Sequence, residues 1–340
     1  MLQEGKATIE AQEGKINKSL PVFYNPIMTL NRDIAVALIN AINKPLRVAD
    51  PLAASGIRGV RFLLECPSVY FVAFNDLSPV ATEAIKKNCQ ENAIPFAKYL
   101  ISTKGANLFF LESRGFDYID LDPFGSPNSF LDSAIKRISN NGILAVTATD
   151  TSALCGAYPK VCQRNYWATP LHTEVMHEVG LRILIRKIQL LGSQYSKALT
   201  PIFSHSSHHY MRVYLRSSHS KKKTNELLKM HGMFNGGGPL WLGKLWDKEL
   251  VQTMNGVSEE STHLLSLIKE ESAIDTVGFV NIHELCKREK IKETPKTEII
   301  MTEIKARGFR VAKTHFSDVG IRTTMGYEEV VRMIKIKGTT

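Results

Sequence analysis

The 340-residue sequence has no run of about 18 apolar residues, so it offers no membrane-spanning helix. Its opening, MLQEGKATIEAQEGK, lacks the apolar stretch of a secretory signal. Cysteine is scarce. The five residues (Cys66, Cys89, Cys155, Cys162 and Cys286) are odd in number and widely scattered, which fits free thiols in a reducing, cytoplasmic setting. No Cys-x-x-Cys pair occurs, which speaks against a zinc ribbon and leaves no metal site to propose. There is no internal repeat. The full dinucleotide fingerprint Gly-x-Gly-x-x-Gly is also missing. Nothing points to a membrane or to an obligate protein partner.

What is present is an ordinary globular composition, 44% hydrophobic and 22% charged, long enough for about two domains. The formal net charge is +10. The excess is spread along the chain, as befits a protein with a polyanionic partner, although many basic proteins have none. The first 150 residues alternate short apolar strands with helices. LRVAD (46–50), VYFVAF (69–74), KYLIS (98–102), FDYIDL (116–121) and GILAVTATD (142–150) read as strands. Residues 31–43, GVRFLLE, 79–92 and 128–139 read as helices. That rhythm predicts an α/β fold with a doubly wound parallel sheet. A long helix follows, HTEVMHEVGLRILIRKIQLLGSQY. Two strand-like runs around the polar junction SHSSHH come next, with His209 and Tyr210 read as strand residues. An antiparallel pair after five αβ units is how methyltransferase-type sheets end. Residues 217–239, with SSHSKKK and NGGGP, read as a boundary or linker. The expected division is 1–217 and 218–340, the latter a smaller α+β domain of winged-helix-like order.

Three stretches carry chemistry. Asp50-Pro51-Leu52-Ala53-Ala54-Ser55-Gly56-Ile57-Arg58-Gly59 runs from a strand into a helix. Small residues there let backbone N–H groups approach a ligand. A tight structural turn explains these residues equally well. Asn75-Asp76 ends the second strand, 26 residues after Asp50. A carboxylate at that place can accept from both ribose hydroxyls, whereas the bland reading is a helix cap, a role Ser78 can fill. The pair does not separate nicotinamide cofactors from S-adenosylmethionine. Asp122-Pro123-Phe124-Gly125-Ser126-Pro127 ends the fourth strand, where open α/β sheets place their chemistry. It resembles the Asn/Asp-Pro-Pro-aromatic motif of methyltransferases that act on amino nitrogens. An exocyclic amine is a poor nucleophile because its lone pair is delocalised into the ring. A carboxylate and a main-chain carbonyl that each accept one N–H aim that lone pair outward, and the carboxylate then takes the proton. Pro123 fixes the turn, and Phe124 can stack on a base.

Together with Val22-Phe23-Tyr24-Asn25-Pro26-Ile27-Met28 and Asn31-Arg32-Asp33, these stretches resemble the tRNA (guanine-26-N2) dimethyltransferase family of the shorter archaeal type. GILAVTATD, Leu154-Cys155-Gly156-Ala157, Gly238-Pro239-Leu240-Trp241-Leu242-Gly243 and Thr314-His315-Phe316 extend the match over nearly the whole chain, in order. The resemblance implies a class I methyltransferase (Rossmann-like) sheet, S-adenosyl-L-methionine as cofactor, tRNA as partner, and two methyl transfers to one amine. It implies that Arg32, Arg58 and Asp76 contact the cofactor, beside Asp50, Gly56, Gly105 and Ala106 of the surrounding loops. Asp122 would be the base or acceptor, with Phe23 and Phe124 around the guanine. The target amine lies in the tRNA elbow, so its base would be extruded into a pocket. The basic C-terminal residues Lys287, Arg288, Lys290, Lys292, Lys305, Arg307, Arg310 and Lys313 would then hold phosphates, although interleaved glutamates favour a plain solvated face.

Two departures from the family pattern stand out. The family usually has Asp-Ala-Asn after the third strand, its Asp receiving the adenine amine; here the stretch is Lys104-Gly105-Ala106-Asn107. Many relatives also carry cysteine pairs before Gly-Pro-Leu-Trp, and this chain has none there. A nicotinamide-dependent oxidoreductase and a catalytically decayed methyltransferase that only binds RNA remain as the alternative readings.

Overall fold

The structure is a computed structural model that describes residues 1–10, 22–207, 209–291 and 293–337. It opens with a hairpin, β1 (Leu2–Glu4) and β2 (Ala7–Ile9). Helix α1 (Thr29–Ile42) follows, and then the alternating units begin. These are β3 (Leu46–Asp50), α2 (Ile57–Glu65), β4 (Val69–Asp76), α3 (Pro79–Glu91), β5 (Tyr99–Thr103), α4 (Ala106–Glu112), β6 (Phe116–Leu121), α5 (Asn128–Arg137) and β7 (Ile138–Ala148). Short helices α6 (Thr151–Leu154) and α7 (Pro159–Tyr166) lead to the long α8 (Met176–Ser193) and the strands β8 (Lys197–Ser207) and β9 (Tyr210–His219).

The seven strands form one sheet in the order β5-β4-β3-β6-β7-β9-β8. Five run parallel; β9 pairs antiparallel with both β7 and β8. The central strands are buried along most of their length because helices cover both faces, which is why they read as unbroken apolar runs. The strand order reverses between β3 and β6. A crevice therefore opens at their carboxyl ends, where Asp50 and Asp122 emerge. Gly59 lets α2 pack close to β4, since a methyl group there would run into Phe74.

The stretch expected to be a linker is ordered structure. Ser220 caps α9 (Lys221–Lys229), accepting a hydrogen bond from Lys223 N at 3.3 Å. The glycine-rich run then forms the hairpin β10 (His231–Phe234) and β11 (Gly237–Trp241). Its glycines serve close packing: a side chain at Gly237 would strike Leu171, and Gly236 turns with a φ of +84°. His209 lies in the turn before β9, not in the strand, and His208 lies outside the described residues.

Helices α10 (Lys248–Thr253) and α11 (Glu259–Glu271) complete the large body. The apolar core of the sheet runs on through Trp241, Val251, Leu265 and Ile268. A second core begins at Ile282 and ends at Ile334. By packing, the segment from 221 to 271 therefore goes with the sheet, beyond the division at 217. The second unit is β12 (Val280–Asn281), α12 (Ile282–Arg288), α13 (Thr297–Ala306), β13 (Val311–Thr314), β14 (Ser317–Thr323) and α14 (Tyr327–Lys337). Two helices followed by a hairpin that pairs back with β12 give the winged-helix-like order. Arg322 of β14 ties it to the large body. Its guanidinium donates to Glu178 of α8 at 2.7 Å and to Glu271 of α11 at 2.9 Å, all three fully buried.

Candidate active site

The crevice at the sheet's reversal is a cavity of about 470 Å³, within the usual range for small-ligand sites of about 300–1,000 Å³. Phe23, Arg32, Asp50, Arg58, Asp76, Asp122, Pro123 and Phe124 all line it. Thus eight of the residues singled out in sequence meet at one site. Gly56, Gly105 and Ala106 do not line it: Gly56 caps α2 with a φ of +74°, and Gly105 and Ala106 start α4.

The loop after β3 is fastened to the end of β4. Ala53 N donates to Asn75 O at 3.0 Å, and Ala54 N donates to the Asp76 carboxylate at 2.9 Å. The other Asp76 oxygen accepts from Ser78 N at 2.9 Å. Each oxygen keeps a lone pair for a ligand. The fully buried Asn75 amide donates to Pro51 O and Lys104 O at 3.0 and 2.9 Å, so it joins the loops after β3 and β5.

Asp50 is buried, and its Oδ2 has no hydrogen-bond partner among the described residues. Burial pushes its carboxyl up to about 7, against the pull of Arg58. Beneath the cavity lies a charge network. Arg212 of β9 donates to Asp120 at 2.6 and 3.0 Å; Arg58 lies 3.3 Å from Asp120 and pairs directly with Asp122. Burial raises the Asp120 carboxyl, but Arg212 and Arg58 outweigh it and hold it below the usual carboxylate range. Asp50, Asp120 and Asp122 thus face two guanidiniums, Arg58 and Arg212. The site has an acidic surplus, and the partnerless Asp50 oxygen and Ser55 hydroxyl border the cavity. Such a donor set suits a ligand that carries positive charge.

Arg32 is held from outside the sheet. Its Nε donates to Glu4 of β1 at 2.6 Å, and its Nη2 to Asn25 O at 3.0 Å. Burial pushes Glu4 upward, yet Arg32 and Arg61 hold its carboxyl down to about 2. The hairpin β1–β2 therefore braces the site from behind, through Arg32.

The turn bearing Asp122 is clamped by residues that the sequence reading missed. Gly125 N donates to Thr149 Oγ1 at 2.7 Å, and Thr149 N returns a bond to Gly125 O at 3.0 Å. Tyr166 of α7 donates to both Asp150 oxygens at 2.7 and 2.8 Å, and its hydroxyl lies 3.0 Å from Ser126 Oγ. Phe124, half exposed, meets Phe23 edge-to-face, with ring centroids 4.5 Å apart. The basic residues of the second unit are largely engaged: Lys287 with Glu284, Arg288 with Glu174, Arg307 with Glu303 and Lys313 with Glu298. Lys292 lies outside the described residues.

The strand order, the antiparallel end and the cavity at the reversal define a class I methyltransferase. The family model of N2,N2-dimethylguanosine tRNA methyltransferases matches residues 4–235 and 228–335. A tRNA (guanine(26)-N(2)/guanine(27)-N(2))-dimethyltransferase of Aquifex aeolicus is 39% identical, covering 98% of this chain and 95% of that protein. The tRNA (guanine(26)-N(2))-dimethyltransferase of Pyrococcus abyssi is 37% identical over 97% of each chain. The solved structure of Trm1 from Pyrococcus horikoshii with S-adenosyl-L-methionine superposes with a TM-score of 0.90 at 36% identity, covering 97% of this chain and 98% of that one. The chain belongs to the N2,N2-dimethylguanosine tRNA methyltransferase family.

Proposed function

We propose that this chain transfers methyl groups from S-adenosyl-L-methionine to the exocyclic N2 of guanine 26 in tRNA, twice over, giving N2,N2-dimethylguanosine. The observation that carries the reading is the meeting of Asp122, Pro123 and Phe124 with Asp50, Asp76, Arg32 and Arg58 around one cavity. The relatives named for guanine 26 set the acceptor position.

S-adenosylmethionine supplies an electrophilic methyl on a cationic sulfonium. Asp76 has lone pairs for the ribose hydroxyls, and Arg32 and Arg58 are the cations for its carboxylate. The unpartnered Asp50 oxygen and the acidic surplus around it favour the ligand's positive charge. On the acceptor side, the Asp122 carboxylate takes one N–H of the guanine amine, and a main-chain carbonyl of the same turn takes the other. The lone pair is then directed away from both acceptors. As the new C–N bond forms, the methyl's bond to the sulfonium sulfur breaks, S-adenosylhomocysteine is left as a neutral thioether, and the amine proton passes to Asp122. For the second round the remaining N–H must turn to Asp122, and a bulk solvent exchange resets its proton. Phe124, half exposed at the mouth, offers a face to the extruded base.

The test is incubation of the protein with unmodified tRNA transcript and labelled S-adenosylmethionine, followed by nucleoside mass spectrometry. Dimethylguanosine should form and vanish when guanine 26 is replaced by adenine. Methylation that survives this replacement would refute the assigned position; none at all with tRNA still bound would favour a decayed RNA-binding protein.

A further inference from the structure

The second unit's basic residues are mostly neutralised by glutamates, yet one group of cations elsewhere is not. Arg186 and Lys187 are consecutive on α8. Lys187 is only 6% exposed, and no carboxylate among the described residues pairs with either side chain. The Lys187 ammonium sits over the Trp167 ring, 3.0 Å from its centroid. Arg186 Nη1 donates to Trp167 O at 3.2 Å, while its Nε is buried without a partner among the described residues. His231, on β10, packs alongside and bonds Gln189 at 2.8 Å. Trp167 itself is 48% exposed, although a cation covers one side of its ring, and it ends α7 with a φ of +56°. Burying unpaired cations beside one another is costly unless an anion joins them. Each of these groups reflects that cost. Burial and Arg186 pull Lys187 down to about 8, burial lowers Arg186, and burial with Arg186 brings His231 down to about 4.

We infer that Arg186, Lys187 and Trp167 form a second contact site for the RNA substrate, in which Arg186 takes a backbone phosphate and Trp167, backed by the Lys187 ammonium, stacks an adjoining base. A phosphate supplies the missing negative charge, and an indole backed by an ammonium is a platform that tolerates any base. The site has a direct line to the active site. Trp167 follows Tyr166, whose hydroxyl holds Asp150 and Ser126, and Asn165 O accepts from Asn128 at 2.9 Å just beyond the Asp122 turn. RNA seated on Trp167 is thus one residue from the clamp on the catalytic turn. The inference rests on the proposed tRNA substrate, because that substrate carries the phosphate and the base.

The experiment measures equilibrium binding of unmodified tRNA transcript over a series of salt concentrations, for wild type, Trp167→Ala, Trp167→Phe, Arg186→Gln and Arg186→Lys. Affinity for S-adenosylmethionine and the thermal midpoint serve as folding controls. Trp167→Ala should weaken tRNA binding about five- to a hundredfold, and Trp167→Phe should recover much of it. Arg186→Gln should reduce the slope of log affinity against log salt by about one, while Arg186→Lys keeps it. Unchanged affinity and salt slope in folded variants would show that the cluster is only packing. A wild-type protein that binds no tRNA would instead overturn the proposed function itself.

Discussion

Gly105→Asp is a gain-of-affinity test that the geometry makes unusually clean. Gly105 has a φ of −58°, open to any residue, and a Cβ built there meets nothing within 4 Å. The loop is already rigid: Lys104 N donates to Asp76 O at 3.1 Å, and Lys104 O accepts from Asn75 at 2.9 Å. An Asp therefore enters without a steric cost, next to the strand end that carries Asp76. Gly105 is also the N-cap of α4, which has no side-chain cap and no acidic residue in its first turn. Replacing Gly by Asp at such a cap gains only a few tenths of a kcal/mol. A hydrogen bond from the adenine amine to a carboxylate is worth about 1.5–3 kcal/mol, or roughly ten- to a hundredfold in affinity. Calorimetry should show S-adenosylmethionine binding tightened by that factor, with the ligand-free thermal midpoint raised only slightly. Gly105→Ala should do neither. An Asp variant that gains thermal stability but no affinity would refute the assignment of this loop to the adenine side.

Three further outcomes follow from the network. Tyr166→Phe removes the donor to Asp150 and the link to Ser126, so kcat should fall about ten- to a hundredfold while S-adenosylmethionine affinity holds; equal kcat would show that the turn needs no clamp. Asp50, with its carboxyl pushed up to about 7, is largely protonated below that pH in the free protein, and a cationic ligand favours the ionised form. S-adenosylmethionine affinity should therefore decline as pH falls below about 7, and Asp50→Asn should flatten that dependence; a profile unchanged by the substitution would contradict it. Arg322→Met takes a buried guanidinium from both Glu178 and Glu271, leaving them Arg182 and His315, and denaturant unfolding should register a loss of about 3–5 kcal/mol, with a loss under 1 kcal/mol counting against the inter-unit clamp.

The sheet was legible because its strands are buried on both faces and bounded by turn residues, so LRVAD and FDYIDL coincide with β3 and β6. The catalytic turn was legible because Asp-Pro-Phe is local in sequence. What was not legible is what depends on distant partners. Glu4, holding Arg32, sits in a three-residue strand too short to show a period. Arg212 and Asp120 look like ordinary strand residues until the topology sets β9 beside β7. Thr149 and Tyr166 meet the Asp122 turn only through tertiary structure. The glycines of 236–238 read as a flexible joint, since sequence does not show the Leu171 side chain that makes Gly237 necessary. Gly56 and Gly105 were assigned to ligand contact by position, whereas the wall at the first loop is made by Ser55 and Ile57 on either side of Gly56, and the loop of Gly105 lies outside the lining.

In the proposed reaction Asp122 accepts the amine proton in the cavity it shares with Asp50 and Asp76. Single-turnover methylation of tRNA transcript by Asp122→Asn and Asp122→Ala, with tRNA affinity measured in parallel, tests it most directly. Dimethylguanosine formation should fall by at least about a hundredfold while tRNA affinity stays within a few-fold of wild type. Turnover surviving within tenfold in both variants would contradict it.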